Sequence, residues 1–211
     1  MITKIIRDDD LSYAVEVFLR GGLVAVPTDT VYGLAGNGFD AEAVAKIYEI
    51  KGRPAVKPLI LLLSDISVAE MVCEEVPENA RLLADAFWPG PLSFILRKNK
   101  NVPEVVTAGG ETIGIRSPGH PKALEFLRLA GVPAAAPSAN PSGMPPPRTA
   151  GEVLAYFDGL IECIIDGGDC EFGVGSTIID LTTEPYRILR QGALPEEKVR
   201  RALDAEHRRT Q

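Results

Sequence analysis

Residues 21–34 read GGLVAVPTDTVYGL, and this stretch contains the pattern that predicts the fold. A short apolar run from Leu23 to Val26 ends at Pro27, which is typical of a buried strand that enters a turn. Residues 11–20 place apolar side chains at helical spacing, and two glycines end that helix. A helix that leads directly into a buried strand indicates an α/β domain.

The same alternation of helices and strands continues along the chain. Asp10 and Asp40 are the expected N-caps of the first two helices, and Pro195 is the expected first residue of the last one. Helices are predicted over residues 11–20, 41–50, 67–73, 78–87, 121–129, 152–157 and 195–203. Strands are predicted over residues 23–26, 59–63, 92–97, 112–116, 132–136, 161–165, 176–181 and 186–189.

The strands after residue 161 have little helix between them, so we expect a mixed rather than a purely parallel sheet. The sequence therefore predicts a single α/β domain over residues 1–203, built as a twisted, open mixed sheet flanked by helices. Residues 204–211 are expected to form a polar C-terminal tail.

The composition excludes several classes of protein. The 211 residues include 22 Lys and Arg against 29 Asp and Glu, and the net charge of −7 disfavours a broad nucleic-acid footprint. Aromatic residues make up 6%, too few for an extended base-stacking surface. The N-terminal segment contains Arg7 followed by three aspartates, which is unlike a signal peptide, and residues 59–63 are far too short to span a membrane. We expect a cytoplasmic protein with no membrane partner.

The few cysteines and histidines argue against a redox motif, a metal site and a His-based catalytic triad. Cys73, Cys163 and Cys170 lack the spacing of a metal site or of a redox motif, so we expect buried free thiols. The only histidines are His120 and His207, which argues against a histidine-rich metal site and against a His-based catalytic triad. No cluster of acidic residues suggests a dedicated metal cage, and no metal-binding residues are predicted.

Positive charge recurs in segments rich in glycine and proline. These cations are Lys51, Arg53, Lys57, Arg116, Arg148 and Arg190. If they converge, an acidic protein contains one deep cationic cavity, which suits a compact anion such as a nucleoside triphosphate. A simpler interpretation covers some of them, because cations also favour helix C-termini and strand-end arginines are often exposed.

Hydroxyl and amide side chains follow or precede several predicted strands. The pairs are Thr28 and Thr30, Ser138 and Asn140, and Ser176 and Thr177. Strand ends are where α/β proteins place ligands, although Thr and Asp are also common turn residues. The sequence contains no Walker A motif, and no GxGxxG follows a strand, so a bound nucleotide would not sit on a standard phosphate loop.

Taken together, the ordered motifs resemble the YrdC-like family, whose active members are threonylcarbamoyl-AMP synthases. The resemblance runs from about residue 24 to residue 192 and is carried by PTDTVYGL at 27–34, Lys51 and Arg53 with RPAVKPL, WPGPLSF at 88–94, TAGGETIGIRSPGHP at 107–121, Ser138 and Asn140 in APSAN, IDGG at 165–168, GVGSTIID at 173–180 and ILRQG at 188–192. The resemblance implies a single-domain member, because long members carry a further C-terminal domain.

The resemblance also implies roles for individual residues. The implied threonine site is Thr30, Arg116, Ala136 and Ser176, and the implied ATP site is Lys51, Arg53, Lys57, Thr112, Ser138, Asn140 and Arg190, with Lys51 and Arg53 catalytic. The implied reaction joins L-threonine, bicarbonate and ATP, with Mg²⁺ carried by the nucleotide. A separate complex would transfer the product to tRNA. Some members have a histidine where this chain has Leu62, and a polar residue near Pro146.

Two alternatives belong to other classes of function. A concave cationic surface could serve a double-stranded RNA-binding module, for which we expect weak, salt-sensitive binding because of the net charge. A paralogue with the fold but without the synthase activity is the second alternative.

Overall fold

The computed structural model describes residues 2–8 and 10–207, and its helices and strands alternate as the sequence predicts. The helices are α1 (Ser12–Leu19), α2 (Ala41–Lys51), α3 (Glu78–Phe87), α4 (Glu104–Thr107), α5 (Pro121–Ala130), α6 (Ala150–Phe157) and α7 (Glu196–His207), with a 3₁₀ helix over Ile66–Met71. The strands are β1 (Lys4–Ile6), β2 (Val24–Val26), β3 (Gly33–Asn37), β4 (Ile60–Leu62), β5 (Leu92–Arg97), β6 (Thr112–Arg116), β7 (Ala134–Ala135), β8 (Cys163–Ile165), β9 (Thr177–Asp180) and β10 (Arg187–Arg190).

These ten strands form one open, mixed sheet in the order β1-β8-β2-β3-β7-β4-β6-β5-β9-β10. The pairs β1/β8, β2/β8, β4/β6 and β5/β9 are parallel, and the other neighbours are antiparallel. The prediction of a single α/β domain with a mixed sheet is therefore confirmed. Among the described residues, no helix is long and apolar enough to cross a membrane.

Strand β2 is buried on both faces, which explains its continuous apolar sequence. Val24 and Val26 pack into one apolar cluster, whereas Ala25 packs into the other. The first cluster contains the edge-to-face pair of Phe18 on α1 and Phe126 on α5, whose ring centroids lie 5.1 Å apart. Helices therefore cover both sides of this part of the sheet.

Strand β3 is missing from the sequence prediction because two glycines in five residues weaken its strand signal. Gly36 is needed for close packing. A Cβ atom there would lie 3.0 Å from Leu23 Cδ2 and 3.3 Å from the backbone oxygen of Ala43 on α2. The short elements β1 and α4 were also missed, since three or four residues give too little periodicity to detect.

The predicted caps and ends are partly correct. Asp40 caps α2 by accepting hydrogen bonds from the backbone of Glu42 and Ala43, as predicted. Asp10 does not cap α1: its carboxylate accepts a hydrogen bond from Ser12 N at 2.9 Å, but the cap position belongs to the residue between them. Helix α7 continues to His207, past the predicted end at 203, and residues 208–211 of the predicted tail lie outside the described residues.

All three cysteines are buried and free, as predicted. Burial raises the pKa of the Cys73 and Cys163 thiols to about 12 and that of Cys170 to about 11. The thiols are therefore protonated at neutral pH and serve as small apolar side chains.

Candidate functional site

A cavity of about 500 Å³ lies against one face of four neighbouring strands, β4, β6, β5 and β9. On β6, whose sequence is TIGIR, Thr112, Gly114 and Arg116 face the cavity, and Ile113 and Ile115 are buried in the apolar core. This is the two-residue alternation of a strand. The same alternation on the neighbouring strands brings Ile60, Leu62, Ser93, Ile95 and Ile178 to the cavity, and Ser176, which precedes β9, also lines it.

The turn after β2 forms one wall of the cavity. Thr28 Oγ1 accepts hydrogen bonds from the backbone nitrogens of Thr30, at 3.1 Å, and Val31, at 3.2 Å, and donates to the Val31 oxygen at 2.6 Å. A threonine that closes its own turn in this way fixes the backbone that follows it. The turn thereby holds Thr30 and Asp29 toward the end of β6.

Arg116, at the end of β6, is 5% exposed and has a partner on each of its nitrogens. Its Nε donates to the Gly90 oxygen at 2.9 Å, its Nη1 donates to Thr30 Oγ1 at 2.8 Å, and its Nη2 forms an ion pair with Asp29. Burial lowers the pKa of Arg116, an effect that the neighbouring Asp29 carboxylate opposes. A guanidinium has five N–H groups, so two of them remain for a ligand.

Arg190 lies in the same cavity and is anchored to Ser176. Its Nε and Nη2 donate to the Ser176 oxygen at 3.0 and 2.8 Å, and the Ser176 hydroxyl lies 2.7 Å from that of Ser93. Burial lowers the pKa of Arg190, and the charge of Arg190 in turn lowers the pKa of Arg116. The two guanidiniums thus lie near each other, that of Arg116 buried and that of Arg190 exposed, with Asp29 as their only ion-pair partner among the described residues.

Arg53 adds a third positive charge at the cavity wall. It follows α2, which ends at Gly52 in the left-handed conformation, and donates to the backbone oxygens of Lys57, at 3.1 Å, and Pro58, at 2.8 Å. Among the described residues, the cavity lining contains these three arginines and no aspartate or glutamate. Such a lining attracts anions because low-dielectric walls concentrate the field of the charges.

The structure brings most of the predicted site residues together. Eight of the eleven line the cavity: Thr30, Arg53, Thr112, Arg116, Ala136, Ser138, Ser176 and Arg190. Of the six loop cations, Arg53, Arg116 and Arg190 converge there. Arg148 is exposed and donates instead to the Cys170 oxygen at 3.1 Å.

Lys51, Lys57 and Asn140, which the resemblance assigns to the ATP site, are not among the residues that line the cavity. Lys51 is 3% exposed, and its ammonium donates to the backbone oxygens of Ser138 and Asn140. Asn140 is also buried, and its amide donates to the oxygens of Pro141 and Met144, both at 2.8 Å. Lys57 is exposed. Any part of these residues in binding ATP stays a prediction.

The sequence assigns no specific ligand to several residues in or beside the cavity. Asp29 stands in the quoted motif, but nothing in its spacing identifies a partner 87 positions away. Ser93 is a single polar residue inside an apolar strand and is 0% exposed, a combination that marks a hydroxyl with a specific partner. Thr28 and Tyr32 also line the cavity. Among the described residues, no group of three or more His, Cys, Asp or Glu side chains is placed to hold a metal ion.

Comparisons with known proteins show which proteins the chain is similar to. A family model named Sua5_yciO_yrdC, described as "Telomere recombination", matches residues 16–192. The chain is 49% identical over 187 residues to a threonylcarbamoyl-AMP synthase of Pyrococcus abyssi, covering 88% of this chain and 55% of that protein. It is 42% identical over 202 residues to a threonylcarbamoyl-AMP synthase of Bacillus subtilis, covering 95% of this chain and 58% of that protein.

A solved structure is similar to the chain in both fold and sequence. The crystal structure of Pyrococcus abyssi Sua5 complexed with L-threonine superimposes with a TM-score of 0.92 at 45% identity, covering 96% of this chain and 61% of that one. The chain thus spans little more than half the length of these relatives.

Replacing Asp29 with alanine should destabilise the protein strongly, because it leaves the buried Arg116 guanidinium without its counter-charge. We expect a loss of about 3–5 kcal/mol in the free energy of unfolding, measured by urea denaturation. Glu70→Ala is the matched control, since it removes an ion pair whose members Glu70 and Arg81 have side chains 70% and 41% exposed. That loss should stay below about 1 kcal/mol. Equal losses in the two variants would contradict the structural role of the Asp29 ion pair.

Proposed function

The chain belongs to the Sua5/YciO/YrdC family, and from this premise we propose that it is an L-threonylcarbamoyladenylate synthase. The reaction combines L-threonine, bicarbonate and ATP and releases pyrophosphate, and its product serves the threonylcarbamoyladenosine modification of tRNA by a separate transfer complex. In functional class the enzyme is a nucleotidyltransferase that acts in the cytoplasm.

One observation carries the proposal. The two neighbouring guanidiniums of Arg116 and Arg190, with Arg53 at the wall, give the cavity positive charge that Asp29 balances only in part. Both proposed organic substrates are anionic at the groups that these arginines would contact, the carboxylate of threonine and the phosphates of ATP. The names of the relatives and the threonine complex of the Pyrococcus abyssi protein support the same substrates.

Threonine fits the part of the cavity around Arg116. The two N–H groups left on the arginine can hold the substrate carboxylate. The hydroxyl of Thr30 contacts the same guanidinium, and the hydroxyl of Ser176, which contacts Arg190, lines the same cavity. Leu62, which faces Arg116 across the β4/β6 pair, and Ala136 supply an apolar wall for the methyl group.

The reaction depends on positioning of the substrates and on positive charge around the phosphates more than on covalent catalysis by the protein. The amine attacks the carbon of bicarbonate, and loss of water gives a carbamate. A carbamate oxygen then attacks the α-phosphorus of ATP, the bond between the α-phosphorus and the bridging oxygen breaks, and pyrophosphate leaves. Arg53, Arg190, Thr112 and Ser138 line the cavity. In the proposed reaction the two arginines would stabilise the negative charge on the phosphates, and the two hydroxyls would form hydrogen bonds to ATP. Mg²⁺ enters as part of the Mg–ATP substrate.

The location of the arginines argues against the RNA-binding alternative. They line a cavity and do not form a broad exposed stripe, whereas a duplex binder needs cations spread along its surface. An activity assay distinguishes the proposed synthase from the second alternative, a paralogue without synthase activity.

Purified protein should release pyrophosphate only when ATP, L-threonine and bicarbonate are all present. The carbamate is the nucleophile, so omission of either precursor removes the reaction. A coupled assay for pyrophosphate measures this directly, with serine and valine as the comparison substrates. Equal release without threonine would remove the proposed specificity, and no release under any condition would favour the inactive paralogue.

Arg116→Lys should weaken threonine binding by about tenfold or more, because an ammonium cannot reproduce two parallel hydrogen bonds to a carboxylate. The affinity for ATP in the absence of threonine should change much less. Calorimetric titration of each ligand into the variant makes the comparison, with wild type as the reference. If ATP affinity collapses while threonine affinity holds, Arg116 is a phosphate ligand and this division of the cavity is wrong.

A further inference from the structure

Lys51 is the last residue of α2, and its ammonium lies behind the cavity wall. It is 3% exposed and is absent from the cavity lining. Its hydrogen-bond partners among the described residues are two carbonyl oxygens, those of Ser138 and Asn140. A buried ammonium is costly unless its N–H groups are satisfied, so these two contacts fix the loop to the helix.

The main chain of Lys51 holds the same loop. Its carbonyl oxygen accepts a hydrogen bond from Ser142 N at 2.7 Å. One residue therefore binds the segment from 138 to 142 at three points, two through the side chain and one through the backbone. Asn140 closes the turn beyond by donating to the Pro141 and Met144 oxygens.

A chain of hydrogen bonds connects Lys51 through the 138–142 loop to the segment that carries Thr30. Lys51 donates to the carbonyl of Ser138, and the N–H of that peptide unit, on Ala139, donates to the Tyr32 oxygen at 2.7 Å. Hydrogen bonds that share a peptide unit polarise and strengthen one another. Ser138 is also bridged to Gly33, so the loop is attached to the segment that carries Thr30.

We propose that Lys51 is a positioning residue that sets Ser138 through the 138–142 loop and does not bind the phosphates of ATP. The inference rests on the proposed synthase function and changes the role given to one of its residues. Burial, and then the charge of Arg53, lower the pKa of Lys51 to about 8, which agrees with an ammonium enclosed by the protein. Arg53, two residues further on, lines the cavity and keeps the phosphate role.

The test compares Lys51→Met with Arg53→Met. Methionine keeps the length and apolar stem of lysine but removes the ammonium. In ligand-free protein, hydrogen–deuterium exchange at the amides of Ala139 and Ser142 should become faster by about tenfold or more in Lys51→Met. In Arg53→Met it should stay at the wild-type rate.

Ligand binding and turnover separate positioning from phosphate contact. Lys51→Met should weaken ATP and adenosine by similar factors, and kcat for pyrophosphate release should fall by about tenfold at saturating substrates. Arg53→Met should weaken ATP far more than adenosine, because only ATP carries the phosphates. A merely structural role for Lys51 would lower the melting temperature and leave kcat unchanged.

The proposal is overturned if Lys51→Met leaves loop exchange at the wild-type rate, or if it weakens ATP while leaving adenosine unaffected. If Lys51→Met does not fold, Lys51→Arg is measured in the same way, and the proposal requires its loop exchange and both affinities to change together. Failure of wild type to bind ATP would instead refute the proposed function, whereas the exchange measurement tests the loop contact independently.

Discussion

The arrangement depends on one buried charge, the guanidinium of Arg116 at the end of strand β6. A charge that is 5% exposed requires compensation, and Asp29, Thr30 and the Gly90 oxygen supply it from two other segments. The Asp29 carboxylate also accepts a hydrogen bond from Gly119 N at 2.9 Å, so the segment that follows Arg116 is held as well. The requirement to satisfy one cation thus brings the end of β6, the turn after β2 and the segment before β5 to a single point.

Arg190 and Arg53 add the positive charge that makes this region suitable for binding an anion. Arg190 is anchored on Ser176, and Arg53 is anchored on carbonyls of its own loop, so neither needs a carboxylate to hold it in place. Because backbone oxygens position these side chains without neutralising them, their positive charge remains available to an anion. Strand alternation buries Ile113 and Ile115 of β6 in the core, so the bulky apolar side chains of this strand do not occupy the cavity that the arginines line. Charge that is positioned before a ligand arrives is what phosphoryl chemistry requires of a protein.

The sequence predicts more of the fold than of the site's internal contacts. Strands β5 and β6 have the bounds that their apolar pattern predicts, whereas β3 was missed because its glycines serve packing and not strand propensity. Thr30 and Arg116 were identified from their positions at strand ends. That the two touch is a property of the sheet order and has no local signal. Lys51 shows the same limit, since its spacing from Arg53 cannot reveal that the two side chains lie on opposite sides of the cavity wall.

The central claim is that Arg116 binds the carboxylate of threonine and leaves the amine to become the carbamate that attacks ATP. The most direct measurement is mass spectrometry of the product formed from ATP, L-threonine and carbon-13 bicarbonate by the purified chain. The account predicts an adenylate that contains threonine and the one heavy carbon. An unlabelled threonyl-adenylate would show that the carboxylate itself attacks the α-phosphorus, and would contradict the assignment of Arg116 and with it the proposed reaction.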